Sequence, residues 1–362
     1  MKLRYRIIFF LIGLAGMGVM LWQSDMSDWN KLLDPIALLF LLGLFGLWLV
    51  IYVVHVICYL IILGDEGKKV PFFSMLKICI SGFALNSVTP AGLVGGEPYR
   101  IMALKKYCST EKASSSTLTF SLFYIVGHIT IWFAGAVVYF ALGLPGEFYI
   151  DVILILTAVA TAAFLFLFFI SKRRGLVRPF MSFLTKIPLI KKPMIKVYDK
   201  NEKSYIEIDD NIKAFRTTRA RFWTVFALQF LSRVLECVEY FLIFLYLGQE
   251  ISVFGGVLIL TMASLIGNLL FLIPMQAGSR EGGMAMALIF LGIGSGYGAQ
   301  GGLIYRVRDF ICIVFGILLI MFDKKKSTAK KPAIEPVPVM SDTQPENPPE
   351  DLSSKNADKL PR

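Results

Sequence analysis

Long apolar runs separated by short polar stretches organise the chain. Six of them, at residues 7–22, 36–63, 118–142, 152–170, 222–247 and 303–322, are nearly uninterrupted. About 20 helical residues cross a hydrocarbon core about 30 Å thick, so these runs predict six membrane-crossing helices, the first of them short. Two further apolar segments, 72–94 and 253–291, are broken by Pro, Gly and charge. They predict interrupted helices. Non-helical backbone at membrane depth is tolerated only where it is buried in protein or lines a cavity, which makes these two segments the first place to look for function.

Composition agrees with a polytopic membrane protein. Of the 362 residues 56% are hydrophobic, against about 45–50% apolar residues in ordinary soluble domains. Only 17% are charged, yet 37 Lys and Arg face 26 Asp and Glu, for a net charge of +11. The basic excess sits in the N-terminus, the run Arg100 to Lys112, segment 172–221 with 14 basic and 5 acidic residues, and Lys324 to Lys326. By the positive-inside rule all of these, including both termini, are expected on the cytoplasmic side. Nucleic-acid binding is disfavoured, because it needs a basic face in water. From residue 323 onward the chain holds seven prolines, mixed charge and no aromatic residue. It reads as a disordered cytoplasmic tail following a membrane domain at 1–322. The five cysteines form no C-x-x-C pair and read as buried apolar residues, and neither a metal site nor a cofactor is expected.

Sidedness constrains the broken segments. A full crossing by 72–94 would put Arg100 to Lys112 outside, so this segment is expected to dip in from the cytoplasmic side and return. Segment 253–298 must begin and end outside, and its short second arm favours re-entry over two crossings. The expected fold is all-α, a polytopic helical membrane protein of two inverted repeats, each with three spans and a re-entrant or broken helix hairpin, an architecture typical of transporters. One local match supports it: Pro90 precedes Glu97, and Pro274 precedes Glu281, by seven residues, with Gly between.

Ionisable residues inside apolar runs are the candidate binding groups, since each must face a partner or a watered cavity. Hairpin candidates are Asn86, Glu97 and Arg100 in the first broken segment and Arg280 and Glu281 in the second. The turns there rely on Pro90, Gly92, Gly95, Gly96, Pro274 and Gly278. In run 222–247, Arg233, Glu236 and Glu239 share one helix face with Gln229. Arg233 and Glu236 suit a local ion pair, whereas Glu239 has no local partner. In the last run, Arg306 and Asp309 have the spacing to neutralise each other, and an Arg there also suits a phosphate. His55 and His128 read as packed, hydrogen-bonded residues. No residue is assigned as catalytic.

At the broken segments the sequence resembles the lysylphosphatidylglycerol synthase transmembrane family, also called flippase-like membrane proteins. The carrying residues are Asn86, Pro90, Gly95, Gly96, Glu97 and Arg100 in NSVTPAGLVGGEPYR, Pro274, Gly278 and Glu281 in IPMQAGSRE, and Arg306 in LIYRVRD. Members resemble the N-terminal half of the multiple peptide resistance factor, which moves an aminoacylated phospholipid between leaflets. The resemblance implies a bacterial cytoplasmic (inner) membrane protein and a lipid partner, a phospholipid or a polyprenyl-phosphate lipid. It carries over no aminoacyl-transfer activity, because the tail stands where that factor has its synthase domain.

Three functions compete at this point. A lipid flippase would bind phosphate with Arg100, Arg280 and Arg306 and a cationic group with Glu97, Glu281 and Glu239. A membrane glycosyltransferase or lipid-modifying transferase would use Glu97 or Glu281 as a base. A scaffold would deliver lipid to a partner lipid-synthesis enzyme. Homo-oligomerisation is left open.

Overall fold

In the computed structural model, residues 35–88, 96–144, 146, 148–170, 206, 209, 210, 218–269, 276 and 278–322 are described. The expected first span, most of the basic segment and the expected disordered tail lie outside them. Among the described residues nine α-helices and no strands occur. Helix α1 (Pro35–Leu63) passes through a 3₁₀ turn (Gly64–Lys69) to α2 (Phe72–Val88), followed by α3 (Gly96–Leu104). Helix α4 (Thr110–Ala141) starts at Ser109, whose hydroxyl accepts the Lys112 N–H at 3.3 Å. Then come α5 (Phe148–Ile170), α6 (Arg219–Tyr246), α7 (Val253–Leu269), α8 (Ser279–Phe290) and α9 (Gly296–Met321).

Three stretches, Pro35–Lys69, Thr110–Ala141 and Ile150–Phe169, are long and apolar enough to cross a membrane. Helices α6 and α9, of 28 and 26 residues, have the length but carry charges in mid-helix. The outer faces of α1 and α5 expose Leu38, Leu39, Leu42, Ile153, Leu156, Val159, Phe166 and Leu167. Apolar faces of this extent have no place in water, and lipid accounts for them. The arms of the interrupted segments are shorter, 17 and 9 residues for α2 and α3, 17 and 12 for α7 and α8.

Helix directions follow from contacts at both ends. Phe40 stacks on Tyr246 at 4.3 Å, while Arg221 lies beside Gly64, so α1 and α6 run antiparallel. Helices α4 and α5 are antiparallel as well, joined by the Tyr139 to Asp151 hydrogen bond (2.8 Å) and the Phe123–Phe168 ring contact. Helix α2 packs on α3 and α9, and α7 packs on α8 and α4. Helix α3 lies on α4, and α8 on α9.

Lipid removes the hydrophobic drive for helix association, which leaves close packing and interhelical hydrogen bonds, about 0.6 kcal/mol each on average. Ser81 donates to the Gly316 carbonyl (3.2 Å) between α2 and α9. Thr261 donates to the Ile131 carbonyl (3.0 Å) between α7 and α4. Tyr59 to Thr117 (2.6 Å) ties α1 to α4, and Trp132 to Ser264 (2.8 Å) ties α4 to α7. The arms of each broken segment cross at a glycine. A Cβ on Gly96 would lie 2.2 Å from the Gly82 carbonyl oxygen, and one on Gly283 would lie 2.5 Å from the Met262 carbonyl oxygen.

Gly283→Ala should therefore destabilise the protein by about 1–3 kcal/mol, the usual range for overpacking. Gly282→Ala is the control, because a Cβ there meets nothing within 4 Å. Thermal unfolding of the purified proteins in detergent compares them; equal melting temperatures would remove the close-packing argument.

Candidate functional site

The first hairpin holds its carboxylate at the start of a helix. Gly96, the first residue of α3, donates its N–H to Asn86 Oδ1 (2.6 Å), so the α2 side chain caps α3. Asn86 Nδ2 also donates to Glu97 Oε1 at 3.4 Å. Ser121 of α4 donates to the same oxygen at 3.2 Å, and Arg100 Nη1 lies 3.5 Å from it. Three of the residues expected from sequence thus meet at one carboxylate. Arg100 is buried, with its guanidinium 5.5 Å from the centre of the Phe120 ring.

The second hairpin repeats the theme with different partners. Gly278 has φ of +79°, a conformation open to glycine, and its N–H donates to Glu281 Oε2 at 2.9 Å. Arg306 of α9 grips the same carboxylate through two nitrogens, Nη2 to Oε2 at 2.6 Å and Nε to Oε1. A bidentate fork of this kind is the strongest geometry available to an Arg–carboxylate pair. Arg280 turns the other way. It donates to the Tyr305 hydroxyl and to Gln276 Oε1 (3.0 and 3.2 Å), with its guanidinium 4.7 Å from the Tyr305 ring centre.

Two further pairs lie between the long helices. Arg308 donates through Nε to Glu239 Oε1 at 2.6 Å and also through Nη2, with both side chains almost fully buried. Arg308 Nη1 reaches Asp309 at 3.3 Å. Arg233, completely buried at the middle of α6, pairs with Glu236 at 2.7 Å as the spacing predicts. It also contacts His128 Nε2 at 3.0 Å. A single ionised group at mid-span costs about 2.5–3.5 kcal/mol on insertion scales, and this network supplies the compensation.

The expected Arg306–Asp309 pair is corrected. Helix α8 lies against α9 and presents Glu281 to both nitrogens of Arg306, while Asp309 turns to Arg308. Glu239, without a local partner in its own helix, is partnered across the bundle. Pro90, Gly92, Gly95 and Pro274 lie outside the described residues. All five cysteines are free, and four of them are buried.

Several residues at the site were not anticipated. Gln276 joins Asn268, Arg280 and, through its carbonyl, Arg306. Tyr240 stacks on Tyr305, and Tyr59 on Phe120. On α4, Thr117, Ser121, Tyr124, His128 and Trp132 form a polar and aromatic stripe at steps of three and four residues. That spacing was available in the sequence, hidden inside an apolar run. A separate polar cavity of about 320 Å³ opens where α1 ends and α4 and α6 begin, beside Asp65, Glu66, Lys112, Ser116 and Arg221.

A family model described as the lysylphosphatidylglycerol synthase TM region matches residues 6–316. The chain belongs to this family. It is also similar to a UPF0104 membrane protein of the archaeon Methanothermobacter thermautotrophicus, with 22% identity over 317 residues, 84% of this chain and 90% of the relative. No solved structure matches it significantly. Membership makes this a membrane protein of a lipid-related family, in line with its apolar helices.

In this family member, Glu239→Leu or Arg308→Met alone should each cost about 3–5 kcal/mol, because one buried charge is left without its partner. The double variant should recover most of the loss, since both charges are gone. Melting temperatures in detergent test the cycle, and additive losses would show that the pair is not coupled.

Proposed function

We propose that this protein passes the polar headgroup of a membrane lipid between leaflets, within a bundle of two inverted repeats whose broken helices form re-entrant hairpins. The observation that carries the reading is a correspondence between the halves. If α1, α2, α3 and α4 are matched to α6, α7, α8 and α9, each packing in one half has a counterpart in the other: α2 on α9 and α7 on α4, α3 on α4 and α8 on α9. The matched helices α1 and α6 run antiparallel. Individual bonds follow the same correspondence. Ser81 to the Gly316 carbonyl answers Thr261 to the Ile131 carbonyl, and Ser121 at Glu97 answers Arg306 at Glu281. Tyr59 stacked on Phe120 beneath Arg100 answers Tyr240 stacked on Tyr305 beside Arg280.

Both hairpins thus carry a carboxylate in the first turn of a short helix, facing a long helix of the same half. A headgroup crossing hydrocarbon needs a polar path bounded by protein, and non-helical segments near mid-depth are how transporters supply one. The acyl chains stay in lipid beside the apolar outer faces. The basic segment 172–221 and both termini lie on the cytoplasmic side in this reading, which puts the first hairpin on that side and the second opposite.

Reconstituted liposomes carrying a labelled phospholipid measure the exchange. Wild-type protein should accelerate exchange between leaflets. Glu97→Gln and Glu281→Gln should each slow it by about tenfold or more, the equivalent of a lost hydrogen bond to a charged group. Exchange at the wild-type rate in both folded variants sinks the assignment of these carboxylates. No exchange by the folded wild type, across several lipids, sinks the translocase reading itself.

A further inference from the structure

Near the middle of α4 and α6 lie buried hydrogen-bond donors with no acceptor among the described residues. Arg233 Nε and Nη2, Gln229 Nε2 and Arg100 Nε are buried and have no hydrogen-bond partner among the described residues. So are the Nδ1 atoms of His55 and His128, whose donor or acceptor role depends on the tautomer.

Arg233, His55 and His128 converge on Tyr124. Its ring lies 4.4 Å below the Arg233 guanidinium, 5.7 Å from the His55 ring and 4.9 Å from the His128 ring. Phe120, one turn earlier on α4, touches His55 at 5.7 Å and carries Arg100 at 5.5 Å. Gln229 stands one turn before Arg233 on the same face of α6. Gly127, also on α4, faces Arg233 Nε, and even an added Cβ would sit at an ordinary 3.7 Å from it.

The geometry of Arg233 shows which chemistry fits. Its Nη1 is committed to Glu236 and His128, and the guanidinium face rests on Tyr124. What remains is the Nε–Nη2 edge, a planar pair of parallel N–H groups with the spacing of two oxygens on one acid group. Gln229 Nε2, one turn earlier on α6, adds a donor, and Arg100 of α3 lies one turn along α4 at Phe120, with its Nε beside Gly82 of α2. Donors from separate helices suit a group with several oxygens at tetrahedral angles. One acceptor, Glu97 Oε2, is also unpartnered, but it belongs to the hairpin beside Arg100.

We propose that Arg233 and Gln229, beside Tyr124 near the midpoints of α4 and α6, with Arg100 one turn away at Phe120, form a binding station for a phosphate group. The station deepens the translocase reading by giving the headgroup phosphate a halfway site, and rests on that reading only for the source of the phosphate. The matched helices α8, α9 and α1 do not repeat it: among the described residues, the unpartnered buried arginine nitrogens belong to Arg100 on α3 and Arg233 on α6.

Equilibrium binding tests the proposal on the purified full-length protein in an uncharged detergent, read by melting temperature and by the total emission of its five tryptophans, of which Trp132 neighbours His128. The probes are phosphatidylglycerol in mixed micelles, diacylglycerol as the phosphate-free counterpart, and sodium phosphate. Phosphatidylglycerol should bind saturably and raise the melting temperature, and diacylglycerol should not. Gln229→Leu should weaken that binding about tenfold, as for a lost hydrogen bond to a charged group, while leaving the ligand-free melting temperature nearly unchanged, because its amide nitrogen has no partner to lose and Ser232, 3.5 Å from its amide oxygen, keeps its bond to the Gln229 carbonyl. Arg233→Lys, which keeps the charge and loses the fork, should weaken it as well. Binding of sodium phosphate alone, with the same dependence on Gln229, upholds the anion station and removes its lipid source, so the translocase reading would fall and the station would stand. Equal binding of phosphatidylglycerol and diacylglycerol, or wild-type binding by Gln229→Leu, overturns the station. Leaflet exchange that continues in the same variant would leave the translocase reading intact.

Discussion

A charge in hydrocarbon has to be answered by another charge, a dipole or water, and the interior of this bundle is arranged around that constraint. Among the described residues, Arg100, Arg233, Arg280, Arg306 and Arg308 lie in its interior near Glu97, Glu236, Glu239, Glu281 and Asp309. Two of the five pairings cross helix boundaries. Arg306 and Glu281 bind α9 to α8, and Arg308 and Glu239 bind α9 to α6. Such pairs fix which helices are neighbours, because any other packing would leave charges alone in a medium that cannot solvate them. In a membrane, where apolar burial does not drive helices together, this selectivity matters more than it does in water.

Aromatic rings complete the arrangement. Tyr305 lies between Arg280 and Arg308, with ring-centre distances of 4.7 and 4.4 Å, and Tyr124 lies under Arg233. The negative face of an aromatic ring attracts a guanidinium without consuming its N–H groups. Arg280 is therefore held by Tyr305, Tyr240 and Gln276, and pairs with no carboxylate among the described residues. Cation–π support lets an arginine stay buried with part of its hydrogen-bonding edge uncommitted. A carboxylate clamp such as that on Arg306 leaves less of the fork to offer.

Much of this was legible in the sequence, and the reasons for the gaps are physical. Apolar runs longer than a bilayer is thick read directly as helices, and Pro and Gly with charge nearby mark the breaks at 72–94 and 253–291. The Arg233–Glu236 pair follows from i, i+3 spacing because both partners share one helix. Partners of Glu239, Glu281 and Arg306 were hidden, since spacing along a chain says nothing about which helix lies opposite. Asp309 shows the hazard: its spacing to Arg306 was suitable, and a bidentate partner on α8 took Arg306 instead. The α4 stripe was missed for another reason. Hydroxyl and aromatic groups barely lower the average hydropathy of a run, so Thr117, Ser121, Tyr124 and Trp132 passed as part of an apolar span in which only His128 stood out.

That stripe connects the two broken segments. From Thr117 to Trp132 it extends roughly 22 Å at the helical rise of about 1.5 Å per residue, most of the hydrocarbon thickness. Ser121 touches Glu97 of the first hairpin near one end, and Trp132 touches Ser264, on the first arm of the second, at the other. Between them lie only Tyr124 and His128, and it is there that the uncommitted edge of Arg233 is found. A polar group moving along α4 would meet weak donors and acceptors at each end and its densest set of donors halfway, where the desolvation cost in a bilayer is greatest. Strong clamps at the ends would trap it there, and none at the centre would leave the barrier intact. On the proposed reading, the committed and uncommitted groups along this one helix are distributed as such a passage would require.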